Sequence, residues 1–402
     1  MKFPGTFIPL LQASGSEGAN ARAKRIFFFI ADITGYTKFV AETELEHANG
    51  IVEALFDVIL PMIRDPLAVA NLQGDAVFAY ALNSDLAEGQ FLLDLADRVY
   101  CAFAETREKM EINTSGDCRA CRAIGDLELK IILHYGQCAT RDVGGAIELT
   151  GLDVITAFRL LKNKVQETTG LKAYTILTCD AVQQMALGEA FETSERHTET
   201  FEHVGDVEYV LVDLQKVYSR KRGRERIYVS PDASLCFGEW TQHLKAPPEV
   251  VFTMCTRRDL RGYWMGSDAV DLLSSSKGRI EEGSRYHCHH GKDSFEMEFV
   301  DWRTGEYVTS LYHLPMGITA HETMEMEETD DGTLYRLRME YMYAKNPLVR
   351  MLMCGMVNKK VAATHAMTKD ERLKRLKQRS EELAQKPVDE LRSGFKVSEK
   401  AA

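Results

Sequence analysis

The sequence predicts an α+β protein built as two units: a ferredoxin-like layer first, then a curved antiparallel sheet wrapped on a C-terminal helix. Three observations predict it. At 402 residues the chain is too long for one ordinary core, so two units are expected. Apolar runs and helical periodicities in the first half follow the order β-α-β-β-α-β, with an extra helix and strand, which is the ferredoxin-like pattern. The second half reads as successive strands separated by Gly or Asp-Gly turns and closed by one long helix from Pro347.

The elements follow in order. Residues 1–24 end in small and polar residues and read as a leader. "FFFIADITGYTKFV" begins with four apolar residues that run into Ala31 and Asp32, the pattern of a buried central strand over 26–33. Ile51, Leu55 and Ile59, with Val52, Phe56 and Leu60 beside them, give a helix over 38–60 one broad apolar face. "AVANLQGDAVFAYAL" reads as two strands around a tight Gly74-Asp75 turn. A helix over 86–110, a polar loop over 113–126, the strand "LELKIILHYGQC" and the helix "GLDVITAFRLLKNKV" follow. "AYTILTC" and "EYVLVDL" complete a unit over 25–215. The basic stretch 216–232 reads as a linker, with a phosphate- or lipid-contacting arm as the sharper alternative. Beyond it a strand, a proline-started helix, six further strands and the long helix make a second unit over 233–385, and 386–402 reads as a flexible tail.

Hydrophobic residues make up 45% and charged residues 27%, ordinary for a soluble globular chain. The net charge of −11 argues against general nucleic-acid or anionic-membrane binding and leaves only local patches. The first residues lack a basic segment followed by a long apolar core, so no signal peptide is expected. No apolar run approaches the ~18 residues a membrane span needs. Nine cysteines, an odd number, fit a reduced cytoplasm better than a disulfide framework.

A carboxylate closing a buried strand is costly unless something compensates it. If the Gly74-Asp75 hairpin pairs beside that strand, Asp32 and Asp75 project from one edge. They then repel each other unless one is protonated or a cation lies between them. Mg²⁺ binds through one or two carboxylates and leaves its other positions to phosphate and water. The loop "ITGYT" after Asp32 is small and polar, so its backbone amides suit phosphate oxygens. The simpler alternative is that both aspartates are turn residues bonded to local backbone.

"FFIADITGYT" and "NLQGDAVFAY" resemble the two metal-binding segments of class III nucleotidyl cyclases, and "TGLDVITAFRLLKN" resembles that family's helix carrying an asparagine and an arginine four apart. The resemblance covers residues 25–215 and is closest to a bacterial subgroup with "GDA", a Cys-rich loop, "HYG" and "RLLKN" in this order. The second half resembles the START/polyketide-cyclase superfamily, whose helix-grip fold encloses an apolar cavity. The resemblance implies that Asp32, Asp75 and the Ile33 carbonyl hold two Mg²⁺ or Mn²⁺ ions. It implies that Arg159 stabilises charge at the transferring phosphate of a nucleoside triphosphate, and that Thr34, Gly35, Tyr36, Thr37 and Gly74 lie against the substrate. It further implies a homodimer with composite sites, and an apolar small molecule in the second unit. Three positions depart from the family. Ile155 stands where the ribose-orienting asparagine belongs, Val204 where a phosphate-binding lysine belongs, and Asn71, with Glu148 as its acidic partner, where the adenine-selecting lysine belongs. A catalytically degenerate nucleotide-binding module is therefore the competing reading, and a second unit that is itself the enzyme is a third. A physical reason for a dimer is that a small ferredoxin-like layer leaves one sheet face needing cover.

Cys118 and Cys121 have metal-ligand spacing and are candidates for a structural zinc site. Such a site needs about four ligands, and the candidates for the rest, Cys101, Cys138 and His134, lie on other elements, so zinc is the weaker reading. His287 and His289 share one strand face and read as ordinary strand histidines, with a metal site or a lining of the second unit's cavity as the alternatives. "KDERLKRLKQRSEEL" reads as a solvated helical face with i,i+4 ion pairs.

Overall fold

The computed structural model describes residues 23–393 apart from 65, 83–86, 88, 114–118, 144–145, 223–225, 232–235 and 276–278. The first half runs β1 (Lys24–Thr34), α1 (Tyr36–Glu42), α2 (Leu45–Arg64), β2 (Ala68–Gln73), β3 (Ala76–Leu82), α3 (Phe91–Asn113) and α4 (Arg119–Ala123). It continues through β4 (Glu128–Val143), β5 (Ala146–Thr150), α5 (Leu152–Arg159), α6 (Val165–Thr169), β6 (Tyr174–Thr178), α7 (Cys179–Gln184), β7 (His197–Phe201), β8 (Gly205–Asp213) and α8 (Leu214–Lys221). The sheet order is β2-β3-β1-β4-β6-β8-β7, with β5 paired to β4. The β2-β3-β1-β4 core has the ferredoxin-like order, and β6 joins β4 in parallel.

The apolar run of β1 is continuous because both of its faces are covered. Phe27, Phe29, Ala31 and Ile33 pack with Val52, Leu55, Ile59 and Ile63 of α2 and with Leu95, Val99 and Phe103 of α3. Ile26, Phe28 and Ile30 pack instead with Val154 and Ala157 of α5, Leu160 of the turn after it and Val165 of α6. This corrects one expectation. The second face is covered within the chain, so an uncovered sheet face gives no reason for a twofold partner.

The second half runs β9 (Cys236–Leu244), α9 (Pro248–Thr256), α10 (Arg258–Met265), β10 (Ala269–Ser274), β11 (Arg285–His290), β12 (Asp293–Arg303), β13 (Tyr307–Leu314), β14 (Ile318–Thr329), β15 (Gly332–Glu340), β16 (Tyr343–Ala344), α11 (Pro347–Val349) and α12 (Gly355–Ser393), with a π-helical turn at Arg350–Cys354. Its sheet is antiparallel throughout, in the order β10-β11-β12-β13-β14-β15-β9, with β16 on β14. It curves around α9, every residue of which is buried, and α12 packs on α9, α10 and β9. The first helix of the linker segment, α8, reaches Lys221, and α12 continues to Ser393, so helix runs into both stretches expected to be irregular.

One apolar core joins the halves, running from α2 and α3 through α9 into the second sheet. Around it lies a polar clasp. Arg279 meets Asp94 at 2.9 Å and Asp97 at 2.5 Å, Gln90 exchanges two hydrogen bonds with the Ile280 backbone, and Arg98 pairs with the buried Glu249. No helix among the described residues is long and apolar enough to cross a membrane.

Candidate active site

Asp32 lies near the end of β1, opposite Ala76 on β3 and Lys130 on β4. The β2–β3 turn is tight because Gly74 takes φ +62°, a conformation that suits glycine. It brings Asp75 to the end of β1, where the Ile33 amide donates to the Asp75 carbonyl at 3.0 Å. In an extended strand a residue's N–H and C=O point to the same side, so the Ile33 carbonyl faces the Asp75 edge as well.

The electrostatics are uneven. Asp32 is 8% exposed, and its Oδ2 lies 3.0 Å from the Lys130 ammonium, which also donates to the Leu161 carbonyl at 2.9 Å. Asp75 is half-buried. Burial, and then the charge of Asp32, raise its pKa above the ordinary aspartate value, while its own backbone amide and Lys130 pull the other way. Two carboxylates thus share one ammonium and leave a surplus negative charge. That donor set fits a divalent cation, which needs few protein carboxylates and keeps positions for phosphate and water. A second mark of a missing partner is Thr34 Oγ1, buried and without a hydrogen bond. Among the described residues no group of three or more His, Cys, Asp or Glu side chains forms a closed metal cage.

The loop after Asp32 turns at Gly35, with φ +88°, where a Cβ would come 3.0 Å from the Asp126 carbonyl oxygen. Thr34 and Gly35 line a cavity of about 330 Å³ together with Lys38, Asp126, Glu128 and Lys172. Tyr36 packs against the core, while Thr37 is exposed. Asn71 is exposed on β2 at a register shift, and β5, which carries the exposed Glu148, comes close to β2.

The "HYG" segment locks α5 onto β4. His134 Nδ1 bonds Thr178 Oγ1 at 3.0 Å, and its Nε2 lies 3.7 Å from Asp153. Asp153 also accepts from the Gln137 amide at 2.6 Å, and these neighbours hold its carboxyl below the ordinary aspartate range. Only glycine fits at 136, because a Cβ there would come 2.4–2.6 Å from Asp153 side-chain atoms. The helix so anchored presents Ile155, 49% exposed, and Arg159, which donates to the Glu202 carbonyl. Among the described residues Arg159 makes no ion pair with Asp32 or Asp75.

Cys118 lies outside the described residues, and Cys121 falls in α4 with its side chain outside them. The His287 and His289 rings lie on one strand face, tilted by 37° with centroids 4.3 Å apart, and His289 bonds Asp271 at 3.0 Å. Sequence reasoning missed Lys130, Lys38 and Lys172. For Lys130 a signal was present, since a lysine inside the apolar run "LELKIIL" is rarely buried unless paired.

A family model described as a protein of unknown function (DUF2652) matches residues 52–169. The "Uncharacterized protein Rv2561/Rv2562" of Mycobacterium tuberculosis is 28% identical over 148 residues, which are 37% of this chain and 66% of that protein. The chain thus spans a little under two thirds of that relative's length. Among solved structures, the guanylyl cyclase Cya2 is similar with a TM-score of 0.38 at 14% identity, covering 48% of this chain and 93% of that one. A bacterial light-regulated adenylyl cyclase is similar with a TM-score of 0.36 at 14% identity, covering 50% of this chain and 58% of that one.

Proposed function

We propose that the first unit binds a metal–nucleoside triphosphate and converts it to the 3′,5′-cyclic nucleotide and pyrophosphate, and that the second unit holds an apolar small molecule. The observation that supports the first part is the meeting of Asp32 and Asp75 at one sheet edge with more negative charge than Lys130 neutralises. Asp32, Asp75 and the Ile33 carbonyl would hold Mg²⁺ or Mn²⁺. The bound ions would favour the deprotonated 3′-hydroxyl and neutralise the leaving pyrophosphate.

The chain's own groups divide the remaining work. Lys130 pairs with Asp32 and fixes its rotamer. Thr34 Oγ1 and the amides of Gly35, Tyr36 and Thr37 serve phosphate oxygens, with Lys38 and Lys172 adding positive charge across the cavity. The 3′-oxygen attacks the α-phosphorus as the bond to the bridging oxygen breaks, and Arg159 faces the charge that develops there. Asn71 and Glu148 contact the base, and Ile155 lies against the ribose. Because Arg159 points to Glu202 in its own chain, its role requires the site of a second copy. The assembly is then a twofold homodimer with two equivalent composite sites.

A second reading is a module that binds nucleotide without turning it over. Ile155 favours it, because an exposed apolar side chain offers the ribose no hydrogen bond.

The deciding experiment incubates the protein with each nucleoside triphosphate and Mg²⁺ or Mn²⁺ and measures cyclic product and pyrophosphate. Product is expected, more with Mn²⁺, and none from Asp32→Ala or Asp75→Ala. Binding of metal–nucleotide without product supports the second reading. If both aspartate variants bind metal–nucleotide as the parent does, the site is wrong. Asp75→Ala and Arg159→Ala, each inactive alone, should recover activity when mixed and exchanged. No recovery despite proven exchange rules out the composite arrangement.

A further inference from the structure

Between α12 and the second sheet lies a cavity of about 500 Å³, within the range of small-molecule sites. Its walls are chiefly apolar: Phe295, Leu314, Met339, Met342, Val357 and Val361. One group of its polar neighbours surrounds Glu322, and another, Lys292, Asp293, Ser294 and Lys360, lines a separate part of the wall. Arg261 and Glu322 are each 2% exposed and meet at 3.1 Å, and Tyr312 donates to the same carboxylate at 2.7 Å while accepting from Arg261 at 2.8 Å. The charge of Glu322 is thereby matched by Arg261.

Arg372 is the exception. It projects from α12 into this cavity, and no carboxylate lies within 4 Å of it or acceptor within hydrogen-bond reach among the described residues. Burial lowers its pKa below that of a free guanidinium, while the charges of Glu322 and then Tyr312 pull the other way. His290 and His365, which line the same cavity, are held below the ordinary histidine value by burial, with Arg372 adding to the effect. Arg372 is thus a cation in an apolar cavity, set among imidazoles that stay neutral. Arg372 is partly buried, and a guanidinium at the mouth of an apolar cavity with no anion beside it is open to a carboxylate, the planar partner that fits its fork. Along α12 the lining residues run from Arg372 through His365 and Val361 to Val357. Arg372 and Val357 are fifteen positions apart, about 22 Å of helix. At the Val357 end, Met316 and Met356 are exposed beside the lining residues Pro315 and Val357.

We propose that this cavity takes an amphiphile with a carboxylate head, the head on Arg372 and the apolar body along Val361 and Val357 toward Leu314 and Pro315. This rests on reading the second unit as a small-molecule binder and adds the head group to it. The carboxylate forms charge-assisted hydrogen bonds with the Arg372 guanidinium, and the alkyl body replaces water along the methionine and valine wall.

The test uses the full chain and three probes of equal chain length: dodecanoic acid, dodecanol and methyl dodecanoate. Binding is read by calorimetry and by the shift in melting temperature. The acid is expected to bind at least about tenfold more tightly than the other two, a difference of about 1.4 kcal/mol. Arg372→Leu should erase that preference while leaving dodecanol binding unchanged, and Arg372→Lys should keep part of it. Circular dichroism establishes that each variant folds, and Lys360→Leu, a second cation at the cavity that already pairs with Asp293, should leave the preference intact. Equal binding of all three probes to the parent, or a preference that survives Arg372→Leu, overturns the head-group assignment and leaves the cavity reading standing. Binding of none of the three overturns both.

Discussion

Asp32 and Asp75 leave the edge of the first sheet with more carboxylate than cation; Arg372 leaves the second sheet's cavity with more cation than carboxylate. Two other buried carboxylates are matched. Glu128 is met by Arg107 at 2.6 Å, Tyr100 at 3.1 Å and Gln215 at 2.8 Å, and Glu322 by Arg261 and Tyr312. The difference separates frame from site. A matched pair holds elements together and asks nothing of solvent. An unmatched charge carries an unfavourable desolvation energy that a bound counter-ion relieves.

The largest effect should come from breaking a matched pair. Arg261→Met leaves Glu322 buried and unpaired and should cost about 3–5 kcal/mol of stability. Adding Glu322→Gln to it should return much of that loss. Arg372→Leu should cost little or even stabilise the ligand-free chain, because it removes a charge that has no partner. Urea unfolding of the four proteins measures this. A loss at Arg372 as large as that at Arg261 would mean that the contrast between the two arginines is wrong.

The first site yields to the same reasoning. Lys130→Met removes the ammonium that Asp32 and Asp75 share, which should destabilise the metal-free protein by about 1–3 kcal/mol. Mn²⁺ should then raise the melting temperature of the variant more than that of the parent. Metal binding to the parent should weaken as pH falls, because Asp75, with its pKa raised by burial and by Asp32, must lose its proton to serve as a ligand. A variant indifferent to Mn²⁺ would show that the surplus charge does not make a metal site.

Much of this frame was legible in the sequence because periodicity and turn chemistry are local. β1, the Gly74 hairpin, the strands of the second sheet and the helix from Pro347 fall where alternation and glycine put them. The helix expected over 38–60 is divided at Thr43, whose extended backbone separates α1 from α2. What the pattern could not carry was pairing across the sheet. Lys130 reaches Asp32 only because β4 lies beside β1, and Gly136 matters only because α5 folds back over it. Arg159 was expected at the phosphate, and in one chain it meets the Glu202 carbonyl, a contact between elements forty-three positions apart. Such contacts are products of topology.

Gly136→Ala probes one of them with a smaller expected effect. The new Cβ would overlap Asp153 and should cost about 1–3 kcal/mol, as overpacking does. Adding Asp153→Ala should recover part of it. If Gly136→Ala is as stable as the parent, the "HYG" segment does not lock α5 in the way described.

The clasp between the two halves is a third case, in which burial raises the pKa of one carboxyl of a pair that shares a cation. Asp94 and Asp97 both bond Arg279, so two carboxylates share one guanidinium, as at the first site. Here the surroundings are fully buried. Burial raises Asp94 to about pH 6, against the pull of Arg279 and Gln90 and with a push from Asp97. The sign follows from linkage. A carboxyl whose folded pKa lies above its unfolded value, 3.8, binds its proton more readily in the native state. Its contribution to stability is therefore fully present below about pH 4 and is lost as pH rises through about 6. Asp94→Asn removes that titration and keeps the side-chain shape. As pH falls from 7 to 5 the parent should gain stability relative to Asp94→Asn, a modest change read as the difference between two melting temperatures at each pH. A difference that moves the other way would mean that Asp94 stays ionised in the clasp, its charge matched by Arg279 as Glu322 is matched by Arg261.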